Sequence, residues 1–189
     1  MRQVLMMQMS SSSSNRAESD HSGVLGNVGQ YLTFNSGGEC YALGILAIKE
    51  IIEFGNITKI PMLPLFVRGV INLRGAVVPV IDLAARLYGE QLTAGRRTCV
   101  VIVELDTEDG KIELGVVVDA VNEVLELSAK DLAAAPNFGS RIRTDFIRQM
   151  ARIQDRLVMI LALERVLSVD EMAGLVALSQ EKSASEQVA

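Results

Sequence analysis

The amino-acid sequence predicts a mainly-β chain built as two small barrels in tandem, with short helices between strands. Three observations carry that expectation. Short runs rich in Val, Ile and Leu recur between Gly, Asn and Asp turn signals. Hydrophobic residues make up 49% of the chain and aromatics only 4%, so the core must be aliphatic. One pattern also occurs twice: Ile48-Lys49-Glu50-Ile51-Ile52-Glu53-Phe54 aligns without a gap on Val121-Asn122-Glu123-Val124-Leu125-Glu126-Leu127, 73 residues on. Val77–Leu83 likewise resembles Leu157–Leu163, 80 residues on, and a Leu-Gly pair (Leu43-Gly44, Leu114-Gly115) lies upstream of each first segment. Two copies of one small β unit follow, and several short strands twice over point to two small barrels.

In chain order, residues 1–28 read as a tail. The serine tract Ser10–Ser14 and the polar run to Gly23 bury too little apolar area to offset the entropy of ordering them. The folded unit is expected over 29–178, with 179–189 as a second polar tail. Tyr31-Leu32-Thr33-Phe34 and Cys40-Tyr41-Ala42-Leu43 flank Asn35-Ser36-Gly37-Gly38 as strand, turn and strand. Ile45, Ile48, Ile51 and Ile52 recur at helical spacing and predict a short helix through Glu53. Val67–Leu73 and Ala76–Ile81 flank Arg74-Gly75, where Gly75 supplies the positive φ of a tight hairpin. Pro79 cannot donate to a ladder, so it is expected at an edge or a bulge. Asp82 caps a short helix through Leu87, which Gly89 ends. Thr98–Leu105 and Ile112–Val118 form a hairpin around Asp106-Thr107-Glu108-Asp109-Gly110. Leu157–Leu163 is a buried strand, and Ser168-Val169-Asp170-Glu171 has the capping-box spacing that starts a C-terminal helix.

The same residues exclude several functions. The net charge is −5 and Arg96-Arg97 and Arg141-Ile142-Arg143 are short, so the basic stripe of a nucleic-acid binder is missing. The run Leu157–Leu163 is far below the ~18 apolar residues of a membrane span, and Met1–Met7 lacks the apolar region of a signal peptide. A cytoplasmic location is expected. Cys40 and Cys99 sit in strand-like runs and read as buried free thiols. The only histidine is His21, in the tail, which removes Ser-His and Cys-His catalysis and any His-based metal site. The glycine-rich run Gly23–Gly29 has no preceding strand and does not match a dinucleotide fingerprint.

Two carboxylate patterns are also set aside. Asp119 follows Val116-Val117-Val118 as a phosphoacceptor would, but the acidic pair and the βα alternation of a receiver are missing. Glu50 and Glu123 hold equivalent repeat positions but read as exposed polar residues on short helices. No enzyme activity and no cofactor are expected. What remains is a surface, centred where charged and aliphatic residues alternate around Ile48–Glu53. Two of Ile45, Ile48 and Ile52 are expected in the core.

The run Val67-Arg68-Gly69-Val70-Ile71-Asn72-Leu73-Arg74-Gly75-Ala76-Val77-Val78-Pro79-Val80-Ile81-Asp82-Leu83 resembles the signature of the CheW family. Ile60-Pro61-Met62-Leu63-Pro64 upstream and Leu114–Leu125 in the second half agree with it. The resemblance spans about Gln30 to Leu178 and implies two five-stranded SH3-like β-barrels sharing an apolar core, with a C-terminal helix. It implies a non-catalytic adaptor, monomeric alone, that joins the cytoplasmic tips of chemoreceptors to the regulatory domain of the histidine kinase CheA, at membrane-associated arrays. An adaptor of a non-flagellar pathway such as twitching motility would have the same sequence features; an oligonucleotide-binding barrel would need basic and aromatic surface residues. By resemblance, Ile48 and Gly69 match kinase-binding positions. Glu50, Arg74, Val121 and Val124 match receptor-binding positions, with Glu50 and Arg74 of complementary charge and expected as a bidentate pair holding the short helix against the signature hairpin.

Overall fold

A computed structural model of the chain describes residues 28–107, 110–134, 144–154, 156–168, 171, 173–175 and 177. The expected tails (Val28 apart), His21, Glu108-Asp109 of the second hairpin turn and Arg141–Arg143 lie outside the described residues. The strands are β1 Gly29–Ser36, β2 Glu39–Gly44, β3 Ile48–Glu53, β4 Val67–Leu73, β5 Ala76–Asp82 and β6 Cys99–Thr107. They continue as β7 Gly110–Val118, β8 Ala120–Leu127, β9 Leu132–Ala133, β10 Ile147–Ile153 and β11 Arg156–Leu161. Two short helices, α1 Leu83–Tyr88 and α2 Leu163–Val166, follow β5 and β11.

The strands form a five-stranded sheet in the order β3-β6-β7-β5-β4 and a six-stranded one in the order β8-β1-β2-β11-β10-β9. Leaving aside the two-residue β9, the two orders describe one topology. An antiparallel pair joins a hairpin, the hairpin pairs in parallel with a second hairpin, and the registers correspond. Val80 lies opposite Gly115 in one sheet and Ile160 opposite Ala42 in the other, related by the same 80- and 73-residue steps found in the sequence. The repeat is therefore structural. Its upstream anchor is shifted from the Leu-Gly pairs, because the fully buried equivalents are Tyr41 and Leu114.

The repeats are tandem in sequence and exchanged in space. The five-stranded sheet takes hairpin β6–β7 from the second repeat and β3, β4 and β5 from the first; the other sheet takes β1–β2 from the first and β8, β10 and β11 from the second. Neither repeat closes a sheet by itself. The shared core explains why this is stable. Val101 and Val103 of β6 face the cluster that also holds Leu32, Phe34 and Tyr41 of the other sheet, whereas Val100 and Ile102 face a core within their own sheet. Buried on both faces, β6 needs a continuous apolar run rather than an alternating one. Each fully buried Val contributes about 1.5–3 kcal/mol.

Several elements match the sequence expectation. Asp82 caps α1, accepting from the Ala85 amide at 3.0 Å, and Gly89 ends it at φ 82°. The Ser168–Glu171 capping box forms, with the Ser168 amide donating to Glu171 at 2.7 Å and the Glu171 amide to Ser168 at 3.2 Å. Glu171, Ala173, Gly174, Leu175 and Ala177 are helical.

Two elements differ. Ile48–Glu53 is an edge strand, not a helix, and Glu123 likewise lies on a strand. A single turn of 3-10 helix at Ile45–Ala47 precedes β3. The helix-like spacing has a physical origin in a β-bulge. Ile48 pairs with Val103 and Ile51 with Val101, three residues on β3 against two on β6, so a step of three returns to the same face. Pro79 lies in β5, flanked by β4 and β7 and not at an edge. Val70, its partner on β4, exchanges both backbone hydrogen bonds with Thr58 at 2.8 and 2.9 Å, so β4 asks no donor of Pro79. Pairing with β7 begins only at Val80.

Candidate protein-interaction surface

The surface begins at the edge strands β3 and β8. On each, a bulge sets two aliphatic residues three apart on the face that looks toward the shared core. Ile48 and Ile51 stand beside Val103 and Val101, and Val121 and Val124 beside Phe34 and Leu32. All four of those neighbours belong to the shared cluster. Ile48 and Val121 pack against it half-buried, while Ile51 is 44% and Val124 47% exposed. The core thus runs out to solvent along two equivalent strand edges.

These edges lie close together. The Cys99 thiol, in β6 beside the end of β3, meets the backbone of Val121 at the start of β8. At the other end, an open concavity is lined jointly by Ala47, Tyr31 and Glu126. The strands flank each other in opposite directions and form one apolar seam. Leu46 stands fully exposed at that second end.

Glu50 and Arg74 meet as the sequence suggested, with one contact of 2.9 Å from an Arg74 terminal nitrogen to a Glu50 carboxylate oxygen and no second arm. Arg74 is 79% exposed, so the pair contributes only about 0–1 kcal/mol and its value is positional. Arg74 occupies the hairpin turn at φ 53°, left-handed backbone that glycine or asparagine would adopt more cheaply. The turn is held by the Gly75 amide donating to Asn72 Oδ1 at 2.8 Å. An arginine in a strained, exposed turn points to a role for its side chain.

Gly69 lies on β4, at the far edge of the sheet order from Ile48. Its φ is +137°, and a Cβ there would stand 2.1 Å from the Thr58 carbonyl oxygen. Gly69 therefore lets the segment after β3 lie against β4. That segment carries Met62, fully exposed at φ 64°, and Leu65, 58% exposed. Ile48, Val121 and Val124 lie at the seam, Glu50 and Arg74 pair on the other face of β3 at the signature hairpin, and Gly69 supports a separate loop.

Sequence reasoning missed Ile51, Leu46 and Met62 as exposed residues. Only Ile51 carried a signal, as the repeat mate of Val124. Ile45, Ile48 and Ile52 all turn out half-buried, none fully in the core. Cys40 and Cys99 are free and partly buried, and burial raises both thiol pKa values, which opposes thiolate formation. Among the described residues, no group of His, Cys, Asp and Glu is placed to hold a metal ion, and no helix is long and apolar enough to cross a membrane.

The family model of the CheW-like domain matches residues 30–171. The chain is 34% identical over 147 residues to "Chemotaxis protein CheW" of Klebsiella aerogenes, covering 77% of this chain and 86% of that protein. It is 30% identical over 142 residues to the protein of the same name from Rhizobium meliloti, covering 75% and 89%. Among solved structures, the scaffolding protein TtCheW from Thermoanaerobacter tengcongensis superposes with a TM-score of 0.68 at 30% identity, covering 76% of this chain and 90% of that one. With its paired SH3-like sheets, its signature hairpin and these relatives, the chain belongs to the CheW family of non-catalytic chemotaxis scaffold proteins.

Proposed function

We propose that this protein couples chemoreceptors to the histidine kinase CheA, working on the cytoplasmic side of receptor arrays. The observation that carries the reading is the apolar seam between β3 and β8, where Ile51 and Val124 stay exposed at the mouth of the shared core. A groove of this kind suits the apolar stripe of a receptor helix. Val121 and Val124 line it, and the Glu50–Arg74 pair braces β3 against the signature hairpin. The kinase contact is assigned to Ile48 and to the loop that Gly69 supports, whose Met62 and Leu65 are exposed.

Reconstitution of receptor-stimulated CheA autophosphorylation, with and without this protein, tests the whole reading. Stimulation should require the protein, and stimulation without it would end the proposal. Gly69→Asp drives a side chain into the Thr58 carbonyl and displaces the loop. Its pull-down of CheA should fall about tenfold or more, with the circular dichroism of the wild type. Recovery at the wild-type level would remove Gly69 from the kinase assignment.

A further inference from the structure

The seam carries charge as well as apolar surface, and the strand registers place it. Glu53 lies opposite Cys99 of β6, so it shares the face of Ile48 and Ile51. Glu126 lies opposite Gln30 of β1, two residues from Leu32, and shares the face of Val121 and Val124. Both carboxylates are exposed, and they are repeat mates, 73 residues apart like the aliphatic residues beside them. Because β3 and β8 run in opposite directions, the two stand at opposite ends of the seam. Glu53 is near the contact of Cys99 with Val121, and Glu126 lines the concavity it shares with Ala47. Neither forms an ion pair with a described residue. Glu126 accepts from Gln30 Nε2 at 3.2 Å, and Arg148, which lines the same concavity, is held by Glu164 at 2.5 Å. On the other face of β3, by contrast, Glu50 pairs with Arg74, and Lys49 with Glu104 and Glu113.

From this we propose that the seam is a two-ended clamp for one amphipathic partner helix. Glu53 and Glu126 each receive a Lys or Arg from the two ends of its aliphatic stripe, and the stripe itself covers Ile51 and Val124. Along the seam the carboxylates are separated by about six residues of strand, roughly 20 Å at ~3.3 Å per residue. That length corresponds to about 13 residues of helix, or about three to four turns. A helix with Asp or Glu at either end of its stripe is repelled, so the same two charges select for one pattern and against its opposite. The inference rests on the seam being the receptor-binding surface and adds the charge pattern of the helix that it takes.

The test titrates the full-length protein with a soluble cytoplasmic hairpin fragment of a chemoreceptor, by calorimetry at low and high salt. Glu53→Gln and Glu126→Gln should each weaken binding about two- to fivefold at low salt and flatten its salt dependence. The two sites are far apart, so the losses should multiply to about four- to 25-fold in the double variant. Glu123→Gln removes an exposed charge from the other face of β8 and should leave binding unchanged. Val124→Asn should weaken binding about tenfold or more at either salt. If Val124→Asn fails to bind while either Glu53→Gln or Glu126→Gln keeps wild-type affinity and salt dependence, the seam stands and the clamp is overturned. Equal losses in Glu53→Gln, Glu126→Gln and Glu123→Gln would assign the effect to net charge and overturn the clamp too. Wild-type binding by Val124→Asn, or no binding by the wild type, would overturn the seam, and the proposal with it.

Discussion

The two halves of this molecule share a topology but not its buried polar reinforcement: Arg148, the repeat mate of Arg68, pairs only with the exposed Glu164. At the start of α1, the fully buried Asp82 accepts from Ala85 and Leu92 amides at 3.0 and 2.9 Å and holds Arg68 at 2.7 Å. The equivalent residue at the start of α2 is Ala162, which caps nothing. On the bulged edge of the five-stranded sheet, Lys49 pairs with Glu104 at 2.6 Å. On the equivalent edge of the six-stranded sheet, Asn122 donates to Asn35 at 3.2 Å. What the halves keep in common is the placement of aliphatic residues, the two bulges and the left-handed turns at Arg74 and Gln154. Topology therefore rests on apolar pattern and backbone geometry, and the polar pairs set local stability one half at a time.

The largest test of that contrast is Asp82→Asn. It leaves Arg68, a mostly buried cation, without its carboxylate and should cost about 3 kcal/mol in urea unfolding. A loss below about 1 kcal/mol, the size of an exposed pair, would show the clasp to be ornamental and the halves equally dependent on apolar packing.

A smaller effect is expected where the halves meet. Arg86 of α1 donates from Nε to the Val166 carbonyl at 2.5 Å and pairs with Glu171 at 2.9 Å. Its guanidinium lies 4.8 Å from the Phe66 ring and 5.6 Å from the Phe146 ring, which are themselves repeat mates. Arg86→Met keeps the bulk and removes the charge, and should destabilise by about 1–2 kcal/mol. Amide exchange near Leu175 should rise more than exchange in β6. Uniform loss across the chain would deny that Arg86 is a local fastening between the halves.

The smallest effect separates the sheets by pH. Hydrogen bonds from Lys111, then from Lys49, hold the Glu104 carboxyl at about 2, below its ordinary 4.5. Its folded value is depressed, so its contribution is complete above pH 4.5 and is lost as pH falls through about 2. The neutral Asn35–Asn122 pair does not titrate in that window. Amide exchange between about pH 5 and about pH 2, corrected for intrinsic rates, should loosen β3 and β6 before β8 and β1. Glu104→Gln should erase the difference between the sheets.

Much of this was legible in the residues. Asp82 and Gly89 announced α1 because a cap and a left-handed terminator act within a few residues of chain. Arg74-Gly75 announced its hairpin for the same reason. The candidate site was legible only in part. Glu50, Arg74, Val121 and Val124 came from the signature and the repeat, whereas the exposure of Ile51 and Leu46 depends on which strands sit at sheet edges. Gly69 was legible only through the signature, since the Thr58 carbonyl that requires a glycine there is brought to it by the fold.

By itself the sequence determined the aliphatic core, the two-fold repetition and the local stops and turns, all of which depend on residues near in the chain. Tertiary structure decided that Ile48–Glu53 is a strand. A bulged edge and a helix both return to one face after about three residues, and only pairing with β6 distinguishes them. It also decided that each sheet is assembled from both repeats, since either hairpin presents the same apolar edges and only burial against the shared core selects the partner.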